Sequence, residues 1–181
     1  TRPSLDALRE LAAKRPPRVT IFEYAFDSLQ PLAGLSGVEV LKMQDSGSLR
    51  TLTGVEALTG VRNLVISTRP GWDGEARKIE ADTLKPLASL TGLERLILMG
   101  VRPADLDLGP IMTMTHLREV DIGGVPEWTI EHYARLAAAL PNADGRCLQP
   151  YVSIPGVGVC TKCQGKTVLL NGAPPKARKW L

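Results

Sequence analysis

Two cysteines three positions apart, Cys160 and Cys163 in GVGVCTKCQGKTVLL, have the spacing that most directly suggests chemistry in this chain. A tight turn between such a pair lets both thiolates converge on one tetrahedral ion, so the pair predicts a structural zinc half-site, with zinc as the expected cofactor. Two other readings stay open. The pair can be a disulfide or redox couple, although a redox role favours a strand–helix junction that the flanking residues do not suggest. The cysteines can also be simple space-fillers. A complete four-thiolate site needs a second C-x-x-C roughly 15–20 residues on. The chain reaches Leu181 without one. A continuation beyond Leu181, or other ligands, would have to finish the site; Cys147 is available in principle and His132 less so.

Other reactive groups point away from catalysis. His116 and His132 stand in unrelated contexts, and no phosphate loop, G-x-S-x-G or H-E-x-x-H occurs. Glu119 and Asp121 sit two apart, without the surroundings of an acid/base dyad. The expectation is a non-enzyme. The net charge of +3 is too small to name a partner, but it is unevenly placed. Lys162, Lys166, Lys176, Arg178 and Lys179 lie after Cys160 with no acid among them, leaving 17 basic against 19 acidic residues in the rest. This basic tail carries the alternative function, contact with nucleic acid. It equally suits a solvated chain end.

The elements that must position these groups follow from the leucines. In LKPLASLTGLERLIL, leucines fall at 84, 87, 90, 93, 96 and 98, in steps of three closed by a step of two. A helix alternates threes and fours, and a strand runs on twos. The pattern recurs at Leu29–Met43, Leu52–Ile66 and Leu108–Ile122, with the near-identical words LSGVEVLKM, LTGVRNLVI, LTGLERLIL and MTHLREVDI. Equivalent residues Val38, Val61, Leu93 and Leu117 are separated by 23, 32 and 24 positions. Self-similarity at this period marks a solenoid.

These repeats resemble the leucine-rich repeat family, in its short class of about 22 residues, over positions 18–149. The resemblance implies an α/β solenoid. A short strand at each L-x-L would join a parallel concave sheet of about six strands, with 3₁₀ or irregular turns on the convex side. RVTIFEY reads as the first strand, and the frame places a sixth near Arg146–Leu148, with Cys147 on the concave side. PEWTIEHYARLAAAL predicts a convex helix starting near Pro126 and stopped by Pro141. Residues 1–17 predict a helical cap: Ser4 caps it, Leu5, Leu8, Leu11 and Ala12 form its apolar face, and Pro16-Pro17 stop it. Residues 150–181 form a separate C-terminal segment resembling half of a zinc ribbon, with Thr167–Leu170 as a strand leaving the knuckle and ARKWL as one returning.

Alternate strand residues make the concave surface. Its middle carries Val40, Val65, Ile97 and Met99, with Phe22, Lys42, Arg95 and Asp121 around them. An apolar centre with a polar rim suits a protein interface, and leucine-rich repeats commonly bind proteins. The period of 32 holds an insertion of about nine residues within Ser67–Asp82, at the rim of that face. Trp72 in it is either a partner anchor or folded back on a neighbouring repeat. The sequence therefore predicts a non-catalytic protein-binding module. Hydrophobic residues are 44% of 181, enough for a folded core. No stretch is apolar enough for a membrane span, and no secretory signal is visible. With an odd count of three cysteines, these features predict a cytoplasmic monomer. The first residue is Thr1, so a trimmed chain lacking a targeting segment is also expected.

Overall fold

The computed structural model describes residues 2–68 and 78–149, and the backbone of two strands at 151–155 and 167–171. Five strands form one parallel sheet: β1 Arg18–Phe22, β2 Val40–Gln44, β3 Asn63–Ser67, β5 Arg95–Met99 and β7 Glu119–Gly123, in the order β1-β2-β3-β5-β7. Every pairing is in register, so Leu41, Leu64, Leu96 and Val120 align, as do Met43, Ile66, Leu98 and Ile122. All eight are buried, while the residues between them are not, which is the alternation the L-x-L words predict. Opposite the sheet run 3₁₀ turns at Gln30–Leu35, Val55–Ala57 and Lys85–Ser89, then a single α-turn, α2 Gly109–Met112. A 3₁₀ turn eclipses positions i and i+3. That is why leucines at steps of three all enter one core, where Leu84, Leu87, Leu90 and Leu93 are at most 1% exposed.

The corner leading into each strand is tied to the next by the backbone. The carbonyls of Pro17, Glu39, Arg62 and Glu94 each accept two N–H groups, from 39 and 40, 62 and 63, 94 and 95, and 118 and 119 respectively. This satisfies donors that a free corner would leave buried and unpaired. The charges on this row alternate, and Glu94 pairs with Arg62 at 2.9 Å and more distantly with Arg118 at 3.8 Å. The corner leaving four of the five strands turns left-handed, at Glu23 after β1, Asp45 after β2, Gly100 after β5 and Gly124 after β7.

Helix α1, Leu5–Ala13, caps the first repeat, and the Ser4 hydroxyl accepts the Ala7 N–H at 3.2 Å. Leu8 is buried, and Leu11 and Ala12 pack on the core. Leu5 departs from the expectation: it lies at the first helical position and is 47% exposed. The convex helix α3 is Ile130–Ala139, capped by Thr129. It begins four residues later than expected because Thr129 and His132 close a reciprocal capping box, leaving Pro126 outside the helix.

The sixth strand is absent among the described residues. Only Asp144 makes a parallel bridge to Glu119, and Arg146–Leu148 is a 3₁₀ turn. That turn carries Cys147 into the core, 2% exposed, rather than onto the open face. The sequence did not predict a second small parallel sheet, β4 Ile79–Ala81 with β6 Val101–Pro103, where the chain leaves β3 and β5. Last, β8 Tyr151–Pro155 pairs antiparallel with β9 Thr167–Asn171. The strand expected at 167–170 is present, but its partner precedes the cysteines in sequence. Cys160, Cys163, Trp72 and the expected strand ARKWL lie outside the described residues.

Candidate functional site

The open face of the five-stranded sheet is a grid of three rows, one residue per strand. Arg18, Val40, Asn63, Arg95 and Glu119 make the first; Thr20, Lys42, Val65, Ile97 and Asp121 the second; Phe22, Gln44, Ser67, Met99 and Gly123 the third. The in-register pairing thus brings together eight of the residues proposed from sequence: Phe22, Val40, Lys42, Val65, Arg95, Ile97, Met99 and Asp121. Val65 and Ile97 are direct neighbours, half-buried, with Val40 and Met99 diagonal to them. The Met99 side chain lies across to Gly123, where an added Cβ would stand 3.4 Å from its methyl carbon. Phe22 is 58% exposed at the N-terminal end of its row.

The two ends of the grid differ electrostatically. At the C-terminal end each acid has a guanidinium partner. Arg95 Nε lies 3.0 Å from the Glu119 carboxylate, near enough for charge pairing although its N–H is not aimed for a hydrogen bond. Arg146 Nε donates to Asp121 Oδ2 at 2.9 Å. Asp121 is only 15% exposed, so the exposed Arg146 side chain neutralises a carboxylate that is mostly out of water. At the N-terminal end Arg18 and Lys42 are exposed and have no ion-pair or hydrogen-bond partner among the described residues.

Among the described residues, the reactive groups singled out from the sequence do not converge on one another. The acids nearest each other are held by arginines. Cys147 donates its S–H to the Val120 carbonyl at 3.3 Å, and burial pushes its thiol up to about 11, so it is a poor nucleophile at neutral pH. His116 is on an exposed turn within 3.3 Å of the Leu90 carbonyl, and His132 serves the α3 cap. Among the described residues no group of three His, Cys, Asp or Glu could hold a metal, and no helix is long and apolar enough to cross a membrane.

Sequence reasoning missed a charge network beside the small sheet. Glu127 accepts from Lys78 at 3.1 Å and from Arg102 at 3.2 Å, and Arg102 also reaches Glu80 at 2.8 Å. Hydrogen bonding from its own backbone, then from Lys78, holds the Glu127 carboxyl below its usual range. Lys78 lies within Ser67–Asp82, and through Glu127 this network joins it to Arg102 on β6. The alternation of Ile79, Glu80 and Ala81 was the available signal.

The in-register parallel sheet backed by rows of buried leucine defines a leucine-rich-repeat-like solenoid. No family model matches the chain, and no curated protein matches it. Among solved structures, an internalin from Listeria monocytogenes is similar at 15% identity with a TM-score of 0.33, over 78% of this chain and 54% of that one. The chain thus spans about half the length of that structure.

Proposed function

We propose that the chain is a non-catalytic protein-binding module whose partner sits on the open face of the parallel sheet. The observation that carries this reading is the contiguous group Val40, Val65, Ile97 and Met99, left half-buried at the centre of that face and bordered by the charged Arg18, Lys42, Arg95 and Asp121 and the polar Gln44, Asn63 and Ser67. Scattered exposed apolar residues are ordinary. A contiguous group on one face with a polar surround is how interfaces are built. Trp72 in the rim insertion is a second anchor in this proposal, since tryptophan is enriched among residues that dominate binding energy. Cys160 and Cys163 are proposed as a structural zinc pair, which would tie together the segment between β8 and β9.

The test is differential capture. Immobilised parent protein should retain a partner that Ile97→Asp loses, with the variant's circular dichroism and melting temperature unchanged. Retention of the same partner by a folded Ile97→Asp protein would move binding off this face.

A further inference from the structure

The open face is electrostatically lopsided. Its acids are already paired within the chain, Glu119 by Arg95 and Asp121 by Arg146, while Arg18 and Lys42 have no such partner among the described residues. A partner laid on this face therefore meets two uncompensated cations beside the apolar centre, and no uncompensated anion from the rows themselves. We propose that the occupant is an acidic–apolar protein segment, its carboxylates over Arg18 and Lys42 and its aliphatic or aromatic anchor over Val65 and Ile97. This rests on the protein-binding reading above and adds the partner's chemistry and direction.

Register sets the spacing. Lys42, Val65 and Ile97 occupy one row on three successive strands. Adjacent strands are about 4.8 Å apart, so Lys42 and Ile97 are separated by roughly 10 Å. A partner segment in the polyproline II conformation, running across the strands, advances about 3.1 Å per residue and returns a side chain to the same face every three residues. Its acid and its anchor therefore lie about three positions apart. Phe22, exposed on β1, is diagonal to Lys42, where an apolar side chain flanking the acid can cover it.

Two nearby features bear on the choice. Glu23 and Asp45 follow β1 and β2, but they face a separate hollow of about 500 Å³ that they share with Arg2 and Lys78. A polyanion is the competing occupant. It is disfavoured because residues before Cys160 carry 17 basic against 19 acidic groups, and nucleic-acid affinity grows with the number of phosphates neutralised.

The probe is a phage library of random twelve-residue peptides panned against the full chain. Selected peptides are then titrated against the parent, Arg18→Glu/Lys42→Glu and Ile97→Asp. The expected result is enrichment of Asp or Glu about three residues from an aliphatic or aromatic residue, with affinity falling at least tenfold in both variants. Peptides lost in Ile97→Asp but indifferent to Arg18→Glu/Lys42→Glu would overturn the acidic occupant and leave the docking face standing. Peptides indifferent to both would overturn both. A panning that yields no binder would also overturn the acidic segment. So would a thymidine oligonucleotide whose binding, rather than any peptide's, is abolished by Arg18→Glu/Lys42→Glu.

Discussion

Replacing Gly54 by alanine tests whether the convex turns stack as closely as the structure shows. Gly54 has φ of 101°, a conformation that L residues rarely adopt. A Cβ there would stand 2.3 Å from the Gln30 amide nitrogen and 2.5 Å from the Leu29 carbonyl carbon, both backbone atoms of the preceding turn. Left-handed backbone costs an alanine about 1–2 kcal/mol. Relief of the overlap requires two main-chain segments to separate, a cost of the size of overpacking, roughly 1–3 kcal/mol. The expected loss is thus about 3 kcal/mol. Gly92 is the internal comparison: a Cβ there meets nothing within 4 Å. Gly92→Ala should be neutral or stabilise by about 0.4–1 kcal/mol, through the unfolded chain alone. Urea unfolding of both variants, with equal slopes, measures the difference. Values within about 0.5 kcal/mol of each other would refute the stacking of Val55–Ala57 on Gln30–Leu35.

Leu93→Ala should cost about 2–5 kcal/mol by the same assay, because Leu93 is fully buried and its removal opens a cavity in the leucine row. Cys147 predicts a decline at high pH. Burial raises its thiol from 9.0 to about 11, so the folded state favours the neutral form. That contribution is complete below about pH 9 and is lost as pH rises through about 11, by roughly 3 kcal/mol. A Cys147→Ala variant should show a correspondingly shallower fall in stability over this window. Elemental mass spectrometry of the purified protein should find about one zinc per chain, lost in Cys160→Ser/Cys163→Ser; an absence of zinc from the parent would retire the metal site.

Much of the solenoid is legible from spacing because its physics is local. Steps of three and a step of two are each compatible with one backbone, so the five strands and their inward residues could be written down from Val19, Leu41, Leu64, Leu96 and Val120. Ser4 and Pro16-Pro17 bounded the cap for equally local reasons. The failures arise where an alternation has two solutions. Leu148 and its neighbours fit a strand frame, yet a Cβ at Gly145 would lie on the Val120 carbonyl oxygen, and the chain turns there to bury Cys147 instead. Leu5 fits the helical face but sits at the helix start, beyond the reach of the first repeat. Glu23 and Asp45 occupy left-handed positions that Gly100 and Gly124 fill elsewhere, and no residue-type signal announces them. On the open face, the rows were legible and the ion pairs were not. Arg95 and Glu119 belong to repeats 24 residues apart, and Arg146 reaches Asp121 from beyond the last strand.

The most direct measurement is methyl NMR of the protein titrated with a partner obtained by differential capture. Resonances of Val40, Val65, Ile97 and Met99 should shift or broaden on binding, while those of Leu32, Leu87 and Ile111 behind the convex turns stay in place. Shifts confined to the convex residues, with the four open-face residues unmoved, would contradict the account.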